Sequence, residues 1–284
     1  MKKLENILII GCDGLIGSHL LQKLDSSNYN IFGTSRNSKS LNNTNVFFLN
    51  LALDTLVLPN IIFDIVIFTA GVTKAIDFKK NWELCKKINV DNTIKLISKL
   101  KNTGSYFIFL SSCSVFDGAQ PFIDFNEPTS PKNNYGIFKV KIEDFLLTKV
   151  SNSAIIRLTK VIDRKINFVD SWEQEFCQGL KVKIYKNHYM SPISLDDVSN
   201  AIIKLISTRA TGIFQLGNNY EISYFDFALK YYKSNPKFLI SIKGIFDSQD
   251  SHNSLKTHLP WNLESKLFYL NILKFSKLFN FGES

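Results

Sequence analysis

The chain predicts an α/β protein, a doubly wound parallel sheet with a smaller C-terminal lobe. Three observations point there. Short apolar runs alternate with longer helical patterns over the first two thirds, as repeated strand and helix units require. A glycine-rich turn, Gly11-Cys12-Asp13-Gly14-Leu15-Ile16-Gly17, stands directly between the first apolar run and the first helical pattern. The length of 284 residues, 45% of them hydrophobic, lies where a single core stops growing, roughly 250 to 300 residues, so a second lobe is expected.

Strands are predicted over 7–10, 30–34, 46–50, 64–69, 106–111 and 154–158, each a short apolar run bounded by polar or glycine residues. The helix over 15–24 carries Ile16, Leu20, Leu21 and Leu24 on one face. One over 82–101 carries Leu84, Ile88, Ile94, Leu96, Ile97 and Leu100, and one over 135–150 follows Asn133-Asn134 as cap and turn residues. The alternation fades through 161–190, then returns as a helix over 195–207 and a strand over 212–216. Two further helices are expected around 223–232 and 265–278. This assigns 1–160 to the sheet domain, with 191–217 returning to it, and 161–190 and 218–284 to the second lobe. Phe168, Trp172 and Phe176 read as core, and Asp196-Asp197 as acids at a helix start, where the dipole favours them.

The formal charge is +9, from 34 basic and 25 acidic residues. Four of the 34 are Arg (Arg36, Arg157, Arg164, Arg209), and the lysines form no block longer than a pair. Phosphate and base-edge readers favour Arg, so the lysines read as a solvated surface and no nucleic-acid partner is expected. Cys12, Cys85, Cys113 and Cys177 have no C-x-x-C spacing, so neither a disulfide framework nor a metal site is expected, and a reducing cytoplasm fits. No apolar stretch approaches the roughly 18 residues of a membrane span.

The glycines at 11, 14 and 17 open a helix straight after a strand. There they allow a tight turn, a close approach of backbone to a pyrophosphate, and an anion at the helix N-terminus. The spacing is G-x-x-G-x-x-G rather than the commoner G-x-G-x-x-G. The second strand ends Gly33-Thr34-Ser35-Arg36, where an acid would grip the adenosine ribose of NAD. With no acid in that stretch, the hydroxyls of Thr34 and Ser35 and the Arg36 guanidinium suit a 2′-phosphate, which favours NADP(H), with NAD(H) as the alternative.

Tyr135-Gly136-Ile137-Phe138-Lys139 opens a helix, 23 residues after Ser112 at a strand end. Tyr and Lys four apart share a helix face. An ammonium beside the phenol would lower its pKa, and Tyr135 would act as general acid while a strand hydroxyl polarises the same carbonyl.

With these motifs the chain resembles the extended short-chain dehydrogenase/reductases, a Rossmann-like family of nucleotide-sugar epimerases, dehydratases and reductases. The segments that carry it are GCDGLIG (11–17), FTAGVT (68–73), INVDNT (88–93), FLSSCSVFDG (109–118), YGIFK (135–139), SPISLDDVSNAI (191–202) and TGIFQLGNNYEISYFDFA (211–228). Within it the chain is most similar to the dTDP-4-dehydrorhamnose reductase-like group. The resemblance implies an NADPH-dependent reductase of a nucleotide-activated 4-keto-6-deoxy sugar, serving surface polysaccharide such as lipopolysaccharide O-antigen, and a homodimer. It places Gly11, Gly14, Leu15, Ile16 and Gly17 on the pyrophosphate, Ser35 and Arg36 on the adenosine ribose, and Asn50 and Leu51 near adenine. Ala70, Gly71 and Thr73 would line the cofactor path, and Leu158 and Thr159 the nicotinamide. Ser112, Tyr135 and Lys139 would be catalytic, Tyr135 and Lys139 also binding the cofactor, with Thr73, Ser112, Ser114 and Tyr135 meeting substrate. Dehydratases of the family carry Asp-Glu after the catalytic hydroxyl; here Cys113-Ser114 stand there, so elimination lacks its proton carriers. Cys113 reads as a buried packing residue, His188 as a loop or core histidine, and Asp117 as a turn residue. The alternatives are a 4-epimerase with bound NAD and a non-catalytic dinucleotide-sensing subunit.

Overall fold

Each apolar run becomes a strand, and the helix that follows it carries the chain back over the sheet, so the central strands are buried and largely apolar. A computed structural model describes residues 4–37, 45–163 and 167–261. In it β1 (Glu5–Ile10) leads into α1 (Leu15–Lys23), β2 (Tyr29–Ser35), β3 (Val46–Phe48) and β4 (Ile65–Phe68). There follow α2 (Ala75–Lys80), α3 (Trp82–Lys86), a π-helical turn (Lys87–Asp91), α4 (Asn92–Leu100), β5 (Tyr106–Ser112), a 3₁₀ turn (Cys113–Val115), α5 (Asn134–Lys149) and β6 (Ser153–Leu158). The remainder is β7 (Lys160–Ile162), α6 (Asn167–Cys177), β8 (Val182–Tyr185), β9 (His188–Met190), β10 (Pro192–Ser194), α7 (Leu195–Thr208) and β11 (Gly212–Leu216), then β12 (Ile222–Ser223), α8 (Tyr224–Tyr231), α9 (Pro236–Ser241), β13 (Ile242–Ile245) and β14 (Ser251–Asn253).

Seven strands form one sheet in the order β11-β6-β5-β4-β1-β2-β3. β1 pairs in parallel with β2 on one side, Ile7 opposite Ile31, and with β4 on the other, Ile7 opposite Ile65. The order reverses at β1 and β4, the switch point where open α/β sheets bind ligands beyond their strand ends. The doubly wound, Rossmann-like α/β fold is therefore the observed one.

Three expectations are corrected. The single helix over 82–101 is α3, a π-helical turn and α4, because one extra residue is accommodated at Lys87–Asp91. The strand over 46–50 stops at Phe48, since the Asn50 side chain accepts the Ala52 N–H at 3.0 Å and turns the chain. The faded stretch 161–190 contains β7, α6, β8 and β9, strands of three or four residues that are too short to show a period. The helix expected over 265–278 lies outside the described residues.

The chain divides into two compact units, one of 1–117, 128–157 and 198–214, the other of 118–127, 158–197 and 215 onward. In the first, Leu8, Val66, Phe107 and Ile155 of the sheet pack with Leu96 and Ile97 of α4 and with Phe138, Ile142 and Leu146 of α5. The second has its own core, in which Val169 and Trp172 of α6 meet Val182, Ile184, Met190, Phe227 and Phe238, with Phe168 and Phe176 against it. Among the described residues no helix is long and apolar enough to cross a membrane.

Candidate active site

Gly11 follows β1 at φ +86°, a conformation that suits glycine, and a Cβ there would stand 2.8 Å from that of Ala70. The turn is tied to β2: the N–H groups of Gly11 and Cys12 donate to the Thr34 carbonyl at 3.2 and 2.9 Å, and Gly11 N–H also reaches the Thr34 hydroxyl at 3.2 Å. A Cβ on Gly17 would lie 2.3 Å from the Gly11 carbonyl oxygen, so this glycine lets α1 pack beneath the turn. Gly14 caps α1 without a side-chain hydrogen bond, which leaves the first-turn N–H groups to a ligand.

Beyond this turn a cleft of about 890 Å³ is lined by Gly11, Asp13, Gly14, Ser35, Arg36, Asn50, Leu51, Ala70, Gly71 and Thr73, with Lys74, Asp77, Lys80 and Asn81. That size and the mixture of backbone donors with apolar walls fit a dinucleotide. Nine of the residues expected at the cofactor are brought together here. Leu15, Ile16 and Gly17 are not among the residues that line the cleft, and neither are Tyr135, Lys139 and Leu158; Leu15 is 45% exposed and Gly17 is buried.

The end of β2 differs from expectation. Thr34 spends its hydroxyl on the Gly11 turn. Ser35 is 1% exposed, and its hydroxyl donates to Asp13 Oδ2 at 2.7 Å while accepting the Asn37 N–H at 2.9 Å. An acid is therefore present after all, supplied by the glycine turn rather than the strand, and it takes the donor that the 2′-phosphate reading gave to Ser35.

At the end of β5, Ser112 caps the 3₁₀ turn, accepting the Ser114 N–H and donating to the Ser114 hydroxyl, both at 3.2 Å. Asn133 caps α5 by accepting the Gly136 N–H at 2.9 Å. A Cβ on Gly136 would fall 1.9 Å from the Ser114 carbonyl oxygen, so this glycine lets the start of α5, with Tyr135, abut the serine turn. One helical turn on, Lys139 Nζ donates to the Leu110 carbonyl at 2.6 Å, 4.5 Å from the Phe109 ring centroid and 5.4 Å from that of Tyr135. The Tyr135 ring lies edge-on to Phe78 of α2, the helix whose Ile76, Asp77 and Lys80 line the cleft.

The expectation that Lys139 lowers the Tyr135 pKa is overturned. Burial pushes the phenol up, with the Cys113 thiol adding to it. An ammonium favours a phenolate when it stands beside the oxygen, and this one is held by a main-chain carbonyl. Lys139 is itself lowered to about 8 by burial, against the opposing pull of Glu143. Cys113 is half-buried rather than fully buried, its sulfur 4.0 Å from the Ser112 hydroxyl. Leu158 ends β6 and Thr159 follows it, both buried, the Thr159 hydroxyl without a partner among the described residues. His188 on β9 pairs with Asp247 at 3.0 Å and stacks on Tyr185. The Asp117 N–H donates to the Ser130 hydroxyl ahead of Gly118 at φ +71°, in keeping with a turn.

Three features escaped sequence reasoning. Asn89, in the π-helical turn, accepts the Val72 N–H at 2.8 Å and donates to the Val72 carbonyl at 2.9 Å, fixing the loop that forms one cleft wall. Asp13 stands in the glycine turn with no motif of its own to mark it. Glu143 and Arg157 form a buried pair, Nη2 to Oε2 2.7 Å and Nε 3.2 Å from both carboxylate oxygens, and the Ser111 hydroxyl also donates to Glu143. The last had a legible signal, since Tyr135, Lys139 and Glu143 fall at four-residue intervals on one helix face.

Residues 5–252 match the family described as RmlD substrate binding domain. Among solved structures, dTDP-4-dehydrorhamnose reductase of Bacillus anthracis in complex with NADP superimposes at a TM-score of 0.74, with 21% identity over 90% of this chain and 92% of that one. A hypothetical dTDP-4-dehydrorhamnose reductase of Sulfolobus tokodaii gives 0.74 and 26% over 89% and 92%. A curated relative, methionine adenosyltransferase 2 subunit beta of Bos taurus, is 24% identical over a 203-residue alignment that covers 62% of this chain and 59% of the relative. The chain thus spans less than two thirds of that relative. A family match running from β1 to β14, on a sheet with this switch point, establishes that the chain belongs to the RmlD substrate binding domain family.

Proposed function

We propose that the protein is an NADPH-dependent reductase of a nucleotide-activated 4-keto-6-deoxy sugar, acting in the cytoplasm to supply surface-polysaccharide assembly. It is an NAD(P)-dependent oxidoreductase of the extended short-chain type. The observation that carries the reading is the state of Tyr135. A phenol held neutral by burial, one residue before the glycine that abuts the Ser112–Ser114 turn and one helical turn from Lys139, is a proton donor, and carbonyl reduction needs one.

When bound, the nicotinamide supplies the hydride. Tyr135 gives its proton to the oxygen of the reduced carbonyl, and the Ser112 hydroxyl orients that oxygen. Lys139 places a positive charge behind the phenol. The glycine turn holds the pyrophosphate through backbone N–H groups, and Arg36 faces the ribose end of the cleft.

The test is NADPH consumption by the purified protein across dTDP-, GDP-, UDP- and CDP-linked 4-keto sugars. Turnover with one of them supports the reading. Absence of turnover from folded, dinucleotide-binding protein counts against it, and tightly retained NAD with sugar epimerisation would replace it by the epimerase. A second reading, a dinucleotide-sensing subunit, is favoured by the likeness to a protein named as a subunit. Tyr135→Phe separates the two: it lowers a reductase about 100- to 10,000-fold while sparing dinucleotide affinity, and leaves a regulatory role intact.

A further inference from the structure

We propose that Asp13 is a cofactor-selectivity residue, whose carboxylate, fixed at the ribose end of the cleft by the Ser35 hydroxyl, offsets Arg36 and makes the site accept NAD(H) alongside NADP(H). The proposal rests on the reading of the cleft as a dinucleotide site.

Three features of the geometry carry it. Asp13, Ser35 and Arg36 all line the cleft. The Ser35 hydroxyl is committed at both ends: its proton goes to Asp13 at 2.7 Å and its oxygen accepts from Asn37 at 2.9 Å. With Ser35 1% exposed, it cannot turn to a phosphate without releasing the carboxylate. The acid is thus held in place, and Arg36 is left as the strand-end donor for a 2′-phosphate.

The charges then act in opposite directions on the two cofactors. A 2′-phosphate brings a dianion against a fixed carboxylate, which repels it, whereas ribose hydroxyls find in that carboxylate the acceptor that NAD sites provide. Arg36 attracts the phosphate and is neutral toward the diol. The near-cancellation leaves wild-type affinities for NADP⁺ and NAD⁺ within about tenfold of each other. The bland alternative is that Asp13 only braces the Ser35–Asn37 turn. Asparagine distinguishes the two, since its amide oxygen still accepts from Ser35 while the charge is gone.

The experiment is titration calorimetry of the full chain with NADP⁺ and with NAD⁺, wild type against Asp13→Asn, at low and high salt and with no sugar present. Expected are comparable wild-type affinities and an NADP⁺/NAD⁺ selectivity about tenfold higher in Asp13→Asn, the gain shrinking at high salt. A wild type that prefers NADP⁺ by more than about a hundredfold, or a variant whose selectivity stays within twofold of wild type, overturns the proposal. Binding of neither dinucleotide removes the cofactor reading itself, and this proposal with it.

Discussion

In the proposed reductase, Lys139 would set the pH behaviour of the site. Its pKa is lowered to about 8 by burial, with Glu143 opposing the fall. Below that value the ammonium is present, and above it the charge behind Tyr135 is lost. Because the phenol is pushed up, away from this range, the reductase rate should decline as pH rises through about 8, with Lys139 rather than Tyr135 responsible. Glu143→Gln removes the group that raises Lys139 and leaves Arg157 unbalanced nearby, so the alkaline limb should move to lower pH in a rate profile. A limb that stays in place would detach Lys139 from it. The Tyr-Lys spacing was legible because one helix face is a local property. The effect of Lys139 on Tyr135 was not, because the ammonium is directed by a carbonyl 29 residues earlier in the chain.

At the scale of elements, two contacts position the site. Asn89 returns both hydrogen bonds of the Val72 backbone from a π-helical turn. Asn89→Ala leaves an amide N–H and a carbonyl there without their partners, at a cost of about 1–3 kcal/mol. Expected are a lower Tm and weaker dinucleotide affinity. Gly136 allows α5 to lie against the serine turn, and Gly136→Ala forces a Cβ against the Ser114 carbonyl, 1.9 Å away as built. A destabilisation of about 1–3 kcal/mol follows from overpacking, with a further loss of activity as Tyr135 moves from Ser112; denaturant titration and rate measurements check both, with Ile137→Ala on the exposed face as control. Element order could be read from hydrophobic period. The break at Lys87–Asp91 could not, since an inserted residue in a helix changes little in an apolar pattern, yet it is from this turn that Asn89 meets the Val72 loop.

At the scale of the whole chain, the two units each bury a separate core, and the cleft is lined by residues of the first alone. Calorimetric unfolding should therefore depart from two-state behaviour. NADP⁺ at a hundred times its Kd should stabilise the first unit by about 2.7 kcal/mol, moving one transition and leaving the other; a single transition that shifts as a whole would contradict this. Of the charge of +9, the proposed reductase would use chiefly Arg36 and Lys139. What the sequence determined by itself was whatever depends on neighbours along the chain: alternation, the glycine turn, caps, and the Tyr-Lys face. What the tertiary structure decided was which polar groups meet across long separations. Asp13 meets Ser35, Val72 meets Asn89, and Ser111 and Arg157 meet Glu143. Charge and hydrogen-bond strength depend on distance and desolvation, which only folding sets. Hence the presence of a dinucleotide site could be read from the residues, whereas the pairing of Asp13 with Ser35 and the upward shift of the Tyr135 phenol could not.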